Sequence, residues 1–264
     1  MKPLFYIFRK TIKNHILQLK KKPGILILYI LIFILLILMI GLTFLAPQRN
    51  VAAGRVDTYG AIVTGAILVV MWFGVNNGID KGSSFFRLAD VNLVFTAPIS
   101  PTRVLIYGFI KQLYTTLFFL FFLLFQMPNL RNFLPITGTG ILIIFLAMFL
   151  LIFTMSILGL LTYSLASRSN GTRRLAKRML NCLTAIFGLT LLYNILIYKD
   201  FPVAAMNILN NKFFIYLPFI GWLKSILMSA VNGVTVSFYI NIILCIAFII
   251  TMIYVLFKLN TDYY

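Results

Sequence analysis

The sequence predicts an all-α membrane protein with six transmembrane helices, and three observations predict it. The 264 residues are 61% hydrophobic, and the mean hydropathy is +1.00. Only 11% of the residues are charged, whereas an average soluble domain carries about a quarter. Several apolar runs reach the ~20 residues that a helix needs to cross the hydrocarbon core of a bilayer. Too few charges remain to cover a water-soluble globule of this length.

Six apolar runs have the length of a membrane-spanning helix: residues 24–45, 58–79, 104–127, 133–165, 179–198 and 236–257. The fourth run is longer than one crossing needs, and Pro135, Gly138 and Gly140 predict that its first third is irregular or tilted. Residues 200–235 are also apolar, but Pro218 and Gly221 interrupt them. We therefore expect a broken helical hairpin between spans five and six, re-entrant or interfacial, rather than another crossing.

Residues 1–23 precede the first span and predict an amphipathic helix that lies on the membrane interface. Its apolar side chains recur at three- and four-residue steps, and basic side chains occupy the flank and the back. A helix of this kind binds along an anionic membrane surface rather than across it. Residues 24–264 are then expected to form the transmembrane domain. The apolar face of the interfacial helix consists of Phe5, Phe8, Ile12, Ile16 and Leu19.

The basic residues predict the orientation of the chain. There are 23 Lys and Arg against five acids, which gives a net charge of +18. With the N-terminus inside, 17 of the 23 basic residues lie in inner segments, as the positive-inside rule requires. We therefore expect both termini in the cytoplasm, the hairpin outside, and the chain in the bacterial cytoplasmic membrane. Basic residues beside apolar spans favour contact with anionic lipid over nucleic acid.

The sequence offers no pattern for catalysis or cofactor binding. It contains no GxxxxGK[ST] loop, so we expect it to bind no ATP of its own. Its one histidine, His15, lies on the predicted interfacial helix, and Cys182 and Cys245 lie inside apolar runs without metal-ligand spacing. We expect no catalytic residue, no metal site and no cofactor bound by this chain.

Lys111 is the only charged residue well inside a predicted span. It lies about two turns from the start of span three, roughly 10 Å deep. Two interpretations stay open: its long side chain snorkels to the inner interface, or Lys111 and Gln112 line a translocation path. Amide side chains in the spans are also predicted to join helices by hydrogen bonds, and for Gln112 this is an alternative to the translocation path: Asn181, Asn194, Asn241 and Gln112.

The predicted inner loop 83–103 is unusually apolar for a segment in the cytoplasm. One interpretation is that it lies on the membrane interface. The other is a short helix that docks into a cytoplasmic protein, with Arg87 and Asp90 spaced as a helical ion pair and Pro98 and Pro101 ending the helix. The residues that would make this docking surface are Phe85, Phe86, Arg87, Asp90, Val91 and Leu93.

Taken in order, these features resemble the membrane subunit of a type-2 ABC exporter. That family has a basic interfacial helix before the first span, a cytoplasmic coupling helix between spans two and three, and a broken extracellular hairpin between spans five and six. Residues 86–108, FRLADVNLVFTAPISPTRVLIYG, resemble more closely the "putative ABC exporter" family of Gram-positive bacteria. In that group an Asp-Val pair and a proline follow the second span in this way.

The resemblance implies a permease that couples through loop 83–103 to a separate nucleotide-binding ATPase, which would bind the ATP. It also implies a homodimer or two fused halves. Members of that group commonly carry a second set of spans, so the chain is also compatible with the N-terminal half of a longer permease. Two other functions stay open: a secondary carrier or channel, and a non-transporting assembly or immunity-type membrane protein.

Overall fold

The computed structural model describes residues 13, 17, 20–45, 54–81, 127–166 and 168–261. Helices and the turns between them account for all of these residues, and no strand occurs among them. Nine helices have defined bounds within these ranges: α1 Pro23–Leu45, α2 Gly54–Lys81, α3 Met127–Phe133, α4 Gly138–Ala166, α5 Asn170–Tyr198, α6 Phe201–Leu209, α7 Phe213–Tyr216, α8 Ile220–Asn232 and α9 Val236–Thr261.

The chain forms two compact units. The first takes Met1–Pro47 and Phe85–Arg131, and its one long described helix is α1. The 23 residues of α1 include no charged side chain, and they rise about 34 Å at ~1.5 Å per residue. This helix coincides with the first predicted span, residues 24–45. Its aliphatic side chains are exposed along its described length.

The second unit takes Gln48–Ser84 and Asn132–Tyr264. Helix α4 packs against α2, α8 and α9. Helix α8 also packs against α2 and α9, and α6 packs against α2 and α5. Aliphatic side chains from three of the central helices are fully buried and fill the core between them: Ile67, Leu151, Ile157, Leu223 and Ile226. Outward faces of α2, α4 and α9 carry equally apolar but exposed side chains, which is the arrangement expected where lipid is the solvent.

Four helices of the described residues are long and apolar enough to cross a membrane: Arg55–Ile79, Gly138–Ala166, Asn170–Tyr198 and Val236–Leu259. The pair Phe201–Tyr216 and Ile220–Asn232 makes a fifth candidate if it is taken as one broken span. Pro23–Leu35 is a shorter apolar stretch. Predicted spans two, four, five and six thus coincide with helices, whereas predicted span three, residues 104–127, lies outside the described residues. The structure therefore gives four or five candidate spans, against the six predicted.

Two predicted boundaries can be compared with the helices. The entry to the fourth apolar run is irregular as expected, because residues 134–137 are non-helical between α3 and α4. The start of span five, predicted at residue 179, was wrong for the helix: α5 starts at Asn170, so residues 170–178 form its first turns. Helices α6, α7 and α8, which we call the broken hairpin, are bent by 115° at the predicted break. This bend fits either one broken span or the predicted re-entrant hairpin, so the place of the hairpin outside the membrane stays a prediction.

Candidate functional site

The residues predicted for ATPase docking, for the translocation path and for the interfacial helix all fall outside the part of the chain that the structure describes. This holds for the docking residues Phe85, Phe86, Arg87, Asp90, Val91 and Leu93, and for Lys111 and Gln112. It also holds for Phe5, Phe8, Ile12, Ile16 and Leu19 of the predicted interfacial helix. Their roles stay predictions. The described residues do include the end of α2, which leads directly into loop 83–103.

The end of α2 is tied to the start of α5 by an arginine. The Arg173 side chain donates from Nε to the backbone carbonyl oxygen of Ile79, 3.0 Å away. The last carbonyl groups of a helix lack partners within the helix and carry its negative dipole end. A guanidinium in this place satisfies one of them and neutralises part of that charge. Movement of the end of α2 would therefore be passed to α5.

Near the same end, α2 and α4 meet through three glycines, Gly74, Gly78 and Gly159, which we call the glycine seam. A methyl group added to Gly78 would overlap the Thr162 hydroxyl and the Gly159 carbonyl, and one added to Gly159 would meet the Gly74 carbonyl. The absent side chains let the two backbones come close, as at small-residue interfaces in membranes. The GxxxG spacing of Gly74 and Gly78 was visible in the sequence, but the position of its partner was not.

Reciprocal capping fixes the start of α5. The Ser169 hydroxyl accepts a hydrogen bond from the Thr172 backbone N–H at 3.1 Å, and the Thr172 hydroxyl accepts one from the Ser169 N–H at 3.2 Å. This is a capping box, which satisfies two of the unpaired N–H groups at a helix start. It sets α5 to begin at Asn170 and places four basic residues in its first turns: Arg173, Arg174, Lys177 and Arg178. The Ser-x-x-Thr spacing was the available sequence signal for this helix start.

Another polar site lies within the broken hairpin, at Lys224 of α8. The Lys224 side chain is only 8% exposed. Its Nζ donates to the Leu209 carbonyl oxygen at 3.1 Å and to Asn210 Oδ1 at 3.4 Å. Asn210 Nδ2 in turn donates to the Asp57 carbonyl oxygen in the first turn of α2, at 2.9 Å. We call this chain of hydrogen bonds from α8 through the end of α6 to α2 the hairpin clasp.

The hairpin clasp surrounds a buried cation with the oxygens of neutral groups. A buried charge is costly unless hydrogen bonds and favourable dipoles compensate for it. Leu209 is the last residue of α6, so its carbonyl is at the negative end of that helix. Gly60 faces the side-chain amide of Asn210, since a methyl group on Gly60 would approach Asn210 Oδ1 to 3.0 Å. The clasp thus joins both arms of the hairpin to α2.

The break in the hairpin has an unusual backbone. Phe219 has φ 63° and ψ −49°, and the Ile220 N–H bonds the Pro218 carbonyl at 2.8 Å. These features define a γ-turn of the strained type. The Phe219 ring is fully buried and stacks on Phe248 of α9 with centroids 5.4 Å apart. Packing of the ring therefore holds a backbone conformation that is unfavourable on its own.

Further hydrogen bonds fasten α8 to its neighbours. Asn241 Nδ2 of α9 donates to Ser225 Oγ at 2.9 Å, so the predicted joining role of Asn241 is confirmed. Asn194 instead donates to the Thr190 carbonyl of its own helix. The Tyr59 hydroxyl of α2 donates to the Leu227 carbonyl oxygen at 3.3 Å. Within the described ranges, no three His, Cys, Asp or Glu side chains are grouped as metal ligands would be.

Comparison with known proteins gives one match. The model of a family described as "Putative ABC exporter" matches residues 1–264, which is the whole chain. No curated protein matches the sequence. No solved structure matches it either.

Proposed function

The chain belongs to the "Putative ABC exporter" family, and on this premise we propose that it is the permease of an ATP-driven exporter, coupled to a separate ATPase. That it is a membrane-embedded subunit of a transporter follows from the family and from its apolar helices. The match over the entire chain is the observation that carries the proposal. The ATPase would bind and hydrolyse ATP, and this chain would contribute no catalytic residue.

The coupling element in this proposal is loop 83–103, in particular Phe85, Phe86, Arg87, Asp90, Val91 and Leu93. The geometry of the helix that leads into the loop supports the proposal. The end of α2 is bonded to α5 through Arg173, and its last turns are packed against α4 at the glycine seam. A push on the loop would therefore reach three long helices together. A shift of these helices as a group, relative to other helices of the transporter, is the kind of change that ATP-driven transport needs.

We further propose a topology of six spans, with both termini in the cytoplasm and the broken hairpin outside. The 17 basic residues in the inner segments, out of 23 in total, support this orientation. Permeases of this architecture work with two membrane halves, so we propose that the chain acts as a homodimer or as one half of a fused pair. Lys111 and Gln112 are the candidates for the translocation path in this arrangement.

The test of the proposed coupling is Phe86→Ala in the affinity-tagged full chain. A buried aromatic anchor typically contributes about 2 kcal/mol or more to an interface, so we expect the variant to retain less than about a tenth of the bound ATPase. The ATPase is identified in the wild-type eluate by its P-loop and by labelling with a photoreactive ATP analogue. Membrane insertion should be unchanged.

Phe213→Ala is the matched control, because Phe213 is an exposed aromatic of the hairpin and lies outside the proposed contact. It should keep the full amount of ATPase. Equal retention of ATPase by Phe86→Ala and the wild type would leave loop 83–103 as an interfacial segment. Transport by the purified chain in ATPase-free vesicles, driven by an ion gradient, would favour a secondary carrier instead.

A further inference from the structure

Two contacts with α9 show how deep the broken hairpin reaches. Ser225 of α8 accepts a hydrogen bond from Asn241, and Phe219 stacks on Phe248. Helix α8 therefore runs antiparallel to α9, and the hairpin break at Phe219 lies at the level of Phe248. Phe248 follows the first residue of α9 by twelve positions, which is roughly 18 Å at ~1.5 Å per residue. The break thus lies near the middle of a candidate membrane span.

Helix α2 gives a second measure of this depth. A methyl group on Gly60 would approach Met228 Sδ to 3.6 Å, so Met228 of α8 lies beside the start of α2. From Met228 back to Gly221 the helix runs for seven residues, roughly 10 Å at ~1.5 Å per residue. A typical hydrocarbon core is about 30 Å thick. Both measures place the first turn of α8 in the middle third of such a core.

Helix α7 lies at the same level, because its end is bonded to the start of α8. The Gly221 N–H donates to the Leu217 carbonyl at 2.9 Å, and a methyl group on Gly221 would overlap the Ile215 carbonyl. Tyr216, the last residue of α7, is 82% exposed, and its hydroxyl has no hydrogen-bond partner within the described ranges. The side chains of Phe213 and Ile215 are exposed as well. We call Phe213, Ile215 and Tyr216 the hairpin tip.

Lipid is an unfavourable surrounding for the hairpin tip. Lys212 is exposed and lies four residues before Tyr216, so the two side chains leave the chain on the same face of the helical turn. An ammonium group and an unpaired phenol hydroxyl both lose hydrogen bonds to water when they face hydrocarbon. Residues 217–219 are non-helical, and such backbone is tolerated at membrane depth only where protein or a water-filled cavity surrounds it.

A second copy of the chain is also an unfavourable surrounding. A two-fold contact places the same patch of both copies face to face, so it would bring a second Lys212 against the first. Each copy has 23 basic residues against five acids, which leaves few carboxylates to offset that repulsion. Water solvates the ammonium group and the phenol hydroxyl together, so water is the surrounding that charge and hydrogen bonding favour.

We propose that the hairpin tip faces a water-filled cavity inside the membrane domain, in which Tyr216 offers its hydroxyl to a molecule that enters. Given the proposed function, on which this step rests, the cavity is the outer part of the path of the transported molecule. The exposed side chains of Phe213 and Ile215 would contact apolar parts of that molecule, and the Tyr216 hydroxyl would bond to a polar part.

Single cysteines in a full chain without Cys182 and Cys245 test the proposal. Tyr216→Cys is compared with Ile246→Cys, whose exposed side chain lies two residues from Phe248 on α9 and so at the depth of the hairpin break. Open membrane fragments receive a charged, membrane-impermeant thiol reagent, which reaches both faces of the membrane whatever the orientation of the chain. Such a reagent attacks the thiolate, which forms in water rather than in hydrocarbon, so position 216 should react at least about tenfold faster than position 246.

A second reporter and a second measurement support this comparison. Ile215→Cys should react as fast as Tyr216→Cys, and both substitutions leave the buried rings of Phe214 and Phe219 in place. A fluorophore attached at position 246 should be quenched by lipids with brominated acyl chains, whereas one attached at position 216 should be quenched less.

Two results would overturn the proposal. Positions 215 and 216 could both react as slowly as position 246, which would place lipid or protein against the hairpin tip. A fluorophore at position 216 could be quenched as strongly as one at position 246, which would place the hairpin tip in lipid. Neither result bears on ATPase binding, which the Phe86→Ala comparison measures separately. Fast reaction at position 216 in a chain that binds no ATPase would support the cavity and overturn the proposed coupling instead.

Discussion

Lys224 shows how one buried cation can hold a bent segment in place through the oxygens of neutral groups. Its hydrogen bonds go to the end of α6 and to Asn210, and Asn210 continues to α2. Removing one oxygen would leave the ammonium group with too few hydrogen-bond partners. Without the ammonium group, that oxygen would no longer be needed as its acceptor. The two side chains of the hairpin clasp should therefore be energetically coupled.

The first prediction is a double-mutant cycle in the hairpin clasp. Asn210→Ala should destabilise the protein by about 1–3 kcal/mol, because it leaves both the buried Lys224 and the Asp57 carbonyl with fewer partners. In a Lys224→Met background the same change should cost less, with a coupling energy of about 1 kcal/mol or more. Thermal unfolding of the purified protein measures each step.

Asn207→Ala is the control for this cycle, since Asn207 is an exposed amide on the same helix α6. Its substitution should change stability by less than about 0.5 kcal/mol in either background. Equal costs of Asn210→Ala with and without Lys224 would show that the clasp is not a coupled unit.

The second prediction concerns Phe219, whose positive φ and buried ring act in opposite directions. Phe219→Ala should destabilise the protein by about 3–5 kcal/mol through loss of the ring. Phe219→Gly loses the same ring but relaxes the backbone, so it should be about 1 kcal/mol more stable than the alanine variant. The two melting temperatures give the comparison, and an alanine variant at least as stable as the glycine variant would argue against a strained turn.

At the scale of helices, the glycine seam fixes how α2 packs on α4. The carbonyl of Gly74 faces Gly159, and Gly78 faces Thr162 as well as Gly159. A further close approach joins α4 to α8, because a methyl group on Gly140 would overlap the Ala230 carbonyl. Backbone contacts this close leave no room for the helices to move against one another. We therefore expect α2, α4 and α8 to move as one body.

The third prediction is that Gly78→Ala destabilises the protein by about 1–3 kcal/mol, because the new methyl group forces the two helices apart. Gly188→Ala provides the matched control, as nothing lies within 4 Å of the position that its methyl group would take. That variant should be neutral or slightly stabilising, since alanine favours a helix over glycine. The comparison is made by unfolding temperature in one detergent. Equal effects of the two substitutions on the unfolding temperature would contradict close packing of α2 on α4 at the glycine seam.

At the scale of the whole molecule, the fourth prediction concerns orientation. Single cysteines replace Lys212 in the hairpin and Arg168 before α5, both exposed, in a chain without Cys182 and Cys245. The positive-inside rule predicts that a membrane-impermeant thiol reagent added outside intact cells labels position 212 and not position 168. The reverse pattern, or labelling of both positions from one side, would exclude the proposed six-span topology.

The apolar runs 24–45, 58–79, 133–165 and 236–257 were sufficient to predict four of the described helices and their approximate ends, because a membrane-spanning helix needs a long apolar run and little else. Pro218 and Gly221 likewise predicted the break in the hairpin. The start of α5 was missed because basic residues in a first turn have the same hydropathy as a loop. Only the spacing of Ser169 and Thr172 marks the helix there.

The contacts of the candidate site were harder to predict from sequence. Lys224 is separated by 14 residues from Asn210 and by a far longer stretch from Asp57, and no local pattern pairs them. The spacing of Gly74 and Gly78 is a recognisable packing motif, yet nothing in it points to Gly159. Long-range pairings of this kind depend on how the helices pack, which composition and periodicity do not specify.

The length of α4 has a consequence for the bilayer in which this protein works. Its 29 residues run from Gly138 to Ala166 without a charged side chain, and they rise about 44 Å at ~1.5 Å per residue. A typical hydrocarbon core is only about 30 Å thick. Membranes made of longer acyl chains would cover more of this helix. Thin membranes would have to thicken locally around it. The thickness of the surrounding lipid therefore enters the energetics of this subunit alongside its own packing.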